Sequence, residues 1–533
     1  MKEILYIQAG SVSNHIGTHF WNTQESYFTY SSAEPSSAQG AESADSDLLV
    51  DHDVSFRAGR SAQAKDTFCP RVLIFDHRSN FGTLPRYNEL YQDPDNLNGS
   101  AHDKLWNGAV NEFRQDPITK SAYQLQLEEG ESTIIENSLK RRTARFWSDY
   151  NRVFYAPRSI QQVPDLPDWD AGHSDWSFGQ SIFKAYDADH SVLDEDLRLF
   201  VEECDNFQGF QVLFDNSTFG GFTQALMTAI RDDFAKSPIL TFPIISGLNP
   251  SIAEDDNSVS VVEHARTVMR DTLCLQSLDE LATASVPLPT PTRWITGPWS
   301  NKLDLEMQNL YQTSAVLSAH IETATLPLRS VDRRVDLFDL CSQLNWPQNT
   351  RFSHLSGEFP ADDHLREQAH DFSVLESLLG VRPLWRPLAQ RNVTRGLSVK
   401  EVINAEGFFA GSDLHEPYIS NVHAPAYPLP TSFPAILREP VQPAKIPARQ
   451  GINIPQALLT TKMVSSLTTT TATASLFRAL ARFTDEIVRT RGVGLGAEAD
   501  IDEMREIAGV MWNLQDSYSG GEYGEDGASG EDE

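Results

Sequence analysis

The chain has 533 residues, 40% of them hydrophobic, and a formal net charge of −31. This length predicts two to four domains with sizeable cores. The acidic excess argues against direct nucleic-acid binding, which requires clustered Lys and Arg. It favours partners with basic or neutral surfaces instead.

The four cysteines lie far apart and include no CxxC pair. This spacing argues against a disulfide framework or a zinc site and favours a reducing compartment. No apolar stretch approaches the roughly 20 residues that span a bilayer, so we expect no transmembrane segment. The opening MKEILYIQAG resembles neither a signal peptide nor an Arg-rich transit peptide. We therefore expect a protein of the cytoplasm, or one that works from the cytosolic side of an organelle.

The first predicted elements are a buried strand, a helix and a second buried strand. Residues 3–10, EILYIQAG, and 71–76, RVLIFD, have the apolar pattern of buried strands. Residues 13–28 predict a helix with Ile16, Phe20 and Trp21 on one side. Residues 31–48 are small and polar, and we interpret them as a surface insertion.

Helices and strands keep alternating further along the chain. Residues 191–207 predict an amphipathic helix with a start signal at Ser191 and Asp194. The apolar face of this helix carries Val192, Leu193, Leu197, Phe200 and Val201. The next elements are a strand, a helix and a strand, at 209–215, 222–234 and 239–246. We expect a glycine-bearing loop between the strand at 209–215 and the helix at 222–234.

This alternation predicts an α/β fold with a parallel sheet covered by helices. Ligands bind at the carboxyl ends of the strands in such sheets. The turns after Ala9, Asp76 and Asp215 would all lie on that edge. The layout after Asp215, NSTFGGFTQALM, is that of a phosphate-cradling loop from which most glycines are missing.

The C-terminal half predicts two helices and two irregular segments. Residues 305–329 have a helical pattern closed by Pro327. Residues 476–490 predict an amphipathic helix whose apolar face carries Leu476, Leu480, Phe483 and Ile487. Residues 411–447 are rich in proline and predict an irregular arm, and the final SGGEYGEDGASGEDE predicts a disordered acidic tail.

Together these pieces resemble the tubulin superfamily. The opening EI..IQAG...N.IG..FW is similar to tubulin's first strand, nucleotide loop and helix, and CDNFQGFQ to the stretch before its phosphate loop. The chain resembles the Misato family of tubulin-like proteins more closely. That resemblance lies in SNHIGTHFWNTQES, HDVSFRAG, FWSDYNRVFYAPRSI and YQTSAVLSAHIETATLPLR, of which the last two have no close tubulin counterpart. It covers residues 1 to about 330.

The resemblance implies a tubulin-like α/β fold. This fold has a parallel Rossmann-type nucleotide-binding sheet flanked by helices, a second α/β domain and a helical C-terminal part. Residues 1–250 correspond to the N-terminal domain, and residues 251–410 to the central helix with the second α/β domain. Residues 411–516 correspond to the Pro-rich arm with the C-terminal helices, and residues 517–533 to the acidic tail.

The nucleotide site that the resemblance implies is degenerate. Where tubulins have roughly GGGTGSGMG, this chain has STFGGFTQA, with bulky Phe219 and Phe222 at phosphate positions. We expect at least one of these rings to turn inward. GTP is a possible ligand and no cofactor is certain. The candidate nucleotide-binding residues are Gly10, Ser11, Asn14, Asp76, Ser217, Thr218, Gly220 and Gly221.

The sequence supports GTP hydrolysis even less than it supports nucleotide binding. The stretch NKLDLE, with Asn301, Asp304 and Glu306, is faintly similar to the catalytic loop of tubulin-like polymers, but its position relative to the long helix is wrong. Arg78 stands near the place of a second acid, which weakens support for magnesium. We assign no catalytic residue and no metal. A polar helix face explains the helical spacing of Asp363, His364, Glu367 and His370 better than a metal site does.

The resemblance also implies a function, since fungal Misato proteins are linked to mitochondrial inheritance. It implies a non-catalytic role in partitioning mitochondria and their DNA, with partners at the mitochondrial surface or cytoskeleton, chaperonin and tubulin among them. The alternatives are an active, filament-forming GTPase and a cytosolic factor for tubulin folding or spindle microtubules. Arg478, Arg482 and Arg489 could suit an anionic membrane, but we favour solvated arginines.

Overall fold

The structure of the protein is a computed structural model. It describes residues 2–28, 50–60, 66–86, 88, 90, 118–121, 124–125, 144–166, 176–250, 258–331, 334–347, 349–361, 370–375, 387–398, 401, 418–438, 442–443, 459–490 and 501–519. The predicted insertion at 31–48 and residues 520–533 of the predicted acidic tail lie outside the described residues. The last described helix extends to Tyr518, so the prediction of a disordered tail from residue 517 is wrong for its first two residues. Within the described ranges, no helix is both long and apolar enough to cross a membrane.

A parallel sheet forms the centre of the N-terminal half. Its strands are β1 (Glu3–Ala9), β4 (Val72–His77), β5 (Ile160–Val163), β6 (Phe207–Asp215), β7 (Ile239–Ile245), β8 (Ala284–Ser285) and β9 (Leu288–Pro289). The order is β5-β4-β1-β6-β7-β8, with β9 also on β7, and every pairing is parallel. The hairpin of β2 (Phe56–Arg60) and β3 (Asp66–Pro70) lies outside this sheet. Central strands buried on both faces explain why the sequence shows continuous apolar runs.

Helices cover both faces of the sheet. They are α1 (Ser11–Glu25), α2 (Trp176–His190), α3 (Arg198–Glu202), α4 (Asn216–Asp233), α5 (Ser258–Leu281), α6 (Leu310–Thr325), α7 (Leu337–Leu344), α8 (Thr473–Arg489) and α9 (Ile501–Tyr518). Alternate residues of β1 belong to two hydrophobic cores. Leu5 and Ile7 pack in the first core, and Ile4 and Tyr6 pack in the second. Helices α2, α4, α5, α8 and α9 pack into the first core, and α1, α6 and α7 into the second.

The predicted apolar helix faces are confirmed. Ile16, Phe20 and Trp21 of α1 are buried in one core. The apolar face of α8 is buried in the other, through Leu476, Leu480, Phe483 and Ile487. Arg478, Arg482 and Arg489 of α8 are exposed. The long helix α6 ends at Thr325, and a short 3₁₀ turn that contains Pro327 follows it.

A second, mixed sheet belongs to the C-terminal half. Its strands are β10 (His354–Glu358), β11 (His370–Asp371), β12 (Pro387–Arg395), β13 (Tyr418–Ala424) and β17 (Met463–Thr470), in the order β11-β10-β17-β12-β13. A small sheet joins β14 (Tyr427–Leu429), β15 (Gln442–Pro443) and β16 (Leu459–Thr461). The second sheet therefore takes strands from both sides of residue 410. The domain boundaries themselves stay a prediction.

The Pro-rich segment contains strands where the sequence predicts an irregular arm. The described part of 411–447 includes β13, which pairs in parallel with β12, and β14, which pairs with β16. The irregular interpretation is therefore wrong for these residues. Residues 418–424, YISNVHA, contain no proline, so each can donate its N–H to a sheet. Pro425 directly follows β13, and Pro428 lies within the short strand β14, so prolines in this segment do not exclude strands.

The helical segment begins where the sequence predicts, with Ser191 in the capping position before the π-helical turn Val192–Leu197. Ser191 has a left-handed backbone, with φ at 50°, whereas a capping residue normally has an extended one, and its side chain makes no capping bond. Instead, the N–H of Leu193 donates to Asp187 Oδ1 at 3.0 Å. The predicted start is therefore confirmed in position, but the capping side chain is that of Asp187. The apolar face is confirmed, since the core takes up Val192, Leu193, Leu197, Phe200 and Val201.

Candidate functional site

The candidate site lies where the carboxyl ends of β4, β1 and β6 meet. These three strands are neighbours, and the N–H of Gly10 donates to the Phe75 carbonyl at 3.0 Å. Asp76 is near the end of β4, and Asp215 ends β6 directly before α4. Gly220 follows within the first turns of α4. The expectation that Gly10, Asp76 and Gly220 share one sheet edge is confirmed.

The start of α1 is occupied by a carboxylate of the chain itself. The backbone N–H groups of Val12 and Ser13 each donate to the Asp215 carboxylate at 2.8 Å, and Ser13 Oγ donates to it at 2.5 Å. A helix N-terminus favours an anion because its N–H groups are unpaired and its dipole end is positive. Here the Asp215 carboxyl group occupies that position.

Gly10 permits this contact. Its backbone angle φ is +102°, a conformation that residues other than glycine rarely adopt. A side-chain carbon at this position would lie 2.5 Å from Asp215 Oδ2. Gly10 is therefore required for the close approach of Asp215 to the start of α1.

Burial makes ionisation of Asp215 less favourable. It raises the pKa of this carboxyl to about 7, and the nearby charge of Asp76 raises the pKa as well. The hydrogen bonds from Ser13 and Val12 oppose the rise, because they stabilise the ionised form. Both protonation states are consequently accessible near neutral pH.

Asp76 is fully used by protein donors. Its Oδ2 accepts from Asn14 Nδ2 at 3.0 Å and from Trp147 Nε1 at 2.9 Å. Its Oδ1 accepts from the backbone N–H of His77 and from Asn80 Nδ2, both at 2.8 Å. A carboxylate offers about four lone-pair directions, and four donors occupy them here. The arrangement leaves Asp76 poorly placed to support magnesium.

Residues 146–150, which we call the strap, cover the outer side of α1. Trp147–Tyr150 form a 3₁₀ turn that brings Trp147 to Asp76. The Tyr150 hydroxyl lies 2.7 Å from His15 Nδ1, and the Tyr150 ring stacks on His19 with centroids 4.6 Å apart. Tyr311 of α6 packs against the same ring at 4.7 Å. The strap thus joins the start of α1 to α6.

The strap excludes water from this group of rings. Tyr150 is fully buried, and burial lowers the pKa of His15 and of His19 to about 3. Both imidazoles are therefore neutral at physiological pH. Sequence reasoning did not assign the strap or Asp215 to the site, although the strap lies in FWSDYNRVFYAPRSI, one of the stretches that carry the family resemblance.

The predicted glycine-bearing loop is helical. Helix α4 begins at Asn216, so Ser217 and Thr218 belong to its first turn. Ser217 is exposed, and its carbonyl accepts from Arg270 Nη1 at 2.9 Å. Asn216 Nδ2 donates to the buried Asp271 at 2.8 Å. The loop interpretation is wrong because buried residues at helical spacing extend the apolar face of α4 back to Phe219.

Gly220 and Gly221 serve helix packing. A side-chain carbon at Gly221 would lie 2.1 Å from the Trp176 carbonyl oxygen of α2. One at Gly220 would lie 2.7 Å from the Trp176 ring, and one at Gly179 would lie 2.9 Å from the Phe222 nitrogen. Neither Gly220 nor Gly221 has a positive φ. Glycine at these two positions thus permits the close approach of α2 and α4.

Phe219 and Phe222 are both buried, which confirms the expectation that at least one ring turns inward. The two ring centroids lie 5.4 Å apart. Phe222 also packs against Phe75 of β4 at 5.3 Å and Phe183 of α2 at 5.2 Å. Apolar packing therefore fills the space between this part of α4 and the sheet.

The remaining candidate residues include two at the start of α1 and others elsewhere in the chain. Ser11 is half-buried in the first turn of α1, and Asn14 Nδ2 bridges Asp76 and the Phe75 carbonyl. The NKLDLE stretch precedes α6, and the Asp304 N–H donates to the Ile436 carbonyl at 2.7 Å. His370 lies in β11 and stacks on Trp299 at 4.3 Å, so the helical interpretation is wrong there. Its predicted neighbours Asp363, His364 and Glu367 lie outside the described residues.

Comparison with known proteins agrees with this fold. Residues 136–330 match the family model of the tubulin domain, and residues 2–129 match that of the Misato segment II tubulin-like domain. The chain is thus a tubulin-like protein.

Relatives narrow the class further. Protein dml1 of Aspergillus clavatus is 31% identical over 561 residues, which cover 98% of each chain. Protein DML1 of Gibberella zeae is 37% identical over 332 residues, 62% of this chain and 61% of its own. Protein misato of Drosophila melanogaster is 31% identical over 372 residues, 64% and 62% respectively. The chain belongs to the Misato family, and its similarity to the Aspergillus protein extends well beyond residue 330.

Proposed function

We propose that this protein is a non-catalytic tubulin-like factor that acts in partitioning mitochondria and in the inheritance of mitochondrial DNA. Its GTP site is degenerate in this proposal. The proposal of a degenerate site rests on one observation. The Asp215 carboxylate accepts hydrogen bonds from Val12 and Ser13 at the start of α1. A phosphate bound to the same donors would have to displace it.

Three further contacts support a site without hydrolysis. Asp76 is saturated by four donors, the strap covers α1, and Phe219 and Phe222 are packed into the core. Catalysis of phosphoryl transfer depends on positioned charge around the phosphates and on metal ions that neutralise it. The side chains that could supply either function are engaged with each other.

The mitochondrial part of the proposal rests on the family. Fungal Misato proteins are linked to mitochondrial inheritance, and fungal proteins named dml1 are among the relatives of this chain. We place the protein in the cytoplasm and peripherally on the cytosolic face of mitochondria. The net charge of −31 supports partners with basic or neutral surfaces, such as proteins of the mitochondrial surface or cytoskeleton, chaperonin or tubulin.

The degenerate site is tested by the nucleotide content of the purified protein. The protein is denatured, and the released small molecules are separated by anion-exchange chromatography, with tubulin treated in parallel as the positive control. We expect no stoichiometric guanine nucleotide, because Asp215 occupies the anion position. One nucleotide per chain would refute the degenerate site.

The peripheral location is tested on isolated, intact mitochondria. Protease added from outside should digest the bound protein while a matrix marker survives. This outcome follows from the proposed peripheral attachment, in which the bound protein stays accessible from the cytosol. Full protection of the protein would contradict this placement.

A further inference from the structure

The donors at the start of α1 converge on one anionic group. Two N–H groups and the Ser13 hydroxyl reach the Asp215 carboxylate, which comes from the end of the neighbouring strand β6. Asp215 is only 4% exposed. Helix α1 has 15 residues, so its N-terminal N–H groups carry the full positive end of a helix dipole.

The carboxylate lies where the backbone allows the closest approach of an anion. A side-chain carbon at Gly10 would be 2.5 Å from Asp215 Oδ2 and 2.7 Å from both Cβ and Cγ of that residue. Sites that hold phosphate through backbone N–H groups need glycine for the same reason, since a side chain would block the ligand. Gly10 and the donors of Val12 and Ser13 therefore form a cradle that Asp215 fills.

We propose that Asp215 is an internal competitor for phosphate, an autoinhibitory contact that closes this cradle. The inference rests on the proposed function and deepens it, because it names the residue that makes the site degenerate. Removal of the carboxylate frees three donors at the start of α1 and a space against Gly10. A phosphate group then takes the position of the carboxylate.

Thermal unfolding of Asp215→Ala tests the inference, with inorganic phosphate and pyrophosphate as probes and chloride at equal ionic strength as the reference. Phosphate salts stabilise folded proteins in general, so the informative quantity is the difference between variant and parent. We expect the melting temperature of Asp215→Ala to rise by at least about 2 °C more than that of the parent.

Asp271→Ala is the matched control. Asp271 is also a buried carboxylate at this sheet edge, but it accepts from Ser246 and Asn216 and not from the start of α1. Its removal should therefore leave the response to phosphate at the parental level. An equal gain in Asp271→Ala would show a general loosening of the edge and would overturn the inference.

A second readout applies where Asp215→Ala does not fold in chloride. The variant is then refolded in phosphate, in chloride, and in chloride with sucrose, a general stabiliser that supplies no phosphate, and the yield of folded protein is compared. Recovery in phosphate alone supports the inference, whereas equal recovery in phosphate and sucrose, or equal failure in all three, overturns it. A folded Asp215→Ala without a phosphate response also overturns it but leaves the degenerate site standing, whereas tight binding of GTP by the parent refutes the degenerate site itself.

Discussion

Gly221 lies directly against the main chain of Trp176, so close that a single added side-chain carbon would come within 2.1 Å of the Trp176 carbonyl oxygen. Helices α2 and α4 approach each other at this point with no room for a side chain. In sequence, Gly221 looks like the remainder of a phosphate loop. In the structure, its absence of a side chain sets the distance between two helices of the core.

Gly221→Ala should destabilise the protein. The added methyl group meets backbone, which cannot rotate away, so we expect the free energy of unfolding to fall by about 1–3 kcal/mol. Urea unfolding followed by circular dichroism measures the change. Gly509→Ala is the control, because Gly509 lies in α9 with nothing within 4 Å of an added carbon. That substitution should raise the free energy of unfolding by about 0.5–1 kcal/mol, and equal effects of the two would contradict the packing role.

Phe219→Ala and Phe222→Ala should each destabilise the core. Truncation of a fully buried Phe costs about 3–5 kcal/mol, since apolar contacts are lost and a cavity remains. Ser217→Ala should change little, because the Ser217 side chain is exposed. Thermal melting of the three variants, with and without GTP and magnesium, measures both effects. A strong GTP-dependent rise in the parent that Ser217→Ala abolishes would identify a live nucleotide site.

Trp147→Phe should weaken the strap. The substitution removes the Nε1–H that donates to Asp76 and also part of a fully buried ring, so a hydrogen bond to a carboxylate and apolar contacts are lost together, at a cost of about 1.5–3 kcal/mol. Chemical unfolding measures this loss. Trp346→Phe serves as the control because Trp346 is 63% exposed, and it should be nearly neutral. Comparable losses in the two variants would argue against the contact with Asp76.

The stability of the protein should depend on the protonation of Asp215. Its pKa in the folded state is raised from the ordinary 3.8 to about 7, so the folded state binds this proton more tightly than the unfolded state does. The resulting stabilisation is complete below pH 3.8 and is lost as the pH rises to about 7. The corresponding slope is at most roughly 1.4 kcal/mol per pH unit.

Asp215→Asn removes this contribution. Between pH 5 and pH 7, the free energy of unfolding of the parent should fall relative to that of the variant, while other buried groups titrate alike in both. Asp194→Asn, at a side chain that is 79% exposed, should follow the parental profile. Parallel pH profiles for the parent and Asp215→Asn would show that Asp215 does not titrate in this window.

Local sequence pattern was sufficient for the elements that bury a continuous apolar surface. β1, β4, β6 and β7 are apolar runs, and α1 and α8 have apolar residues at helical spacing, so each was predicted with its buried side. The shared edge of Gly10, Asp76 and Gly220 followed as well, since parallel strands end on the same side. The differences between STFGGFTQA and the phosphate-loop pattern of tubulins were also visible in the sequence itself.

What occupies the site was decided by tertiary structure alone. The contact of Asp215 with Val12 and Ser13 joins residues about 200 positions apart, and Trp147 reaches Asp76 from 71 positions away. No spacing rule reports such pairs. The same holds for Gly220 and Gly221, whose role depends on how closely α2 approaches α4. Local propensity selects helices and strands, but hydrogen bonds and close packing between distant segments exist only once the chain has folded, and those contacts occupy the carboxyl edge of the parallel sheet.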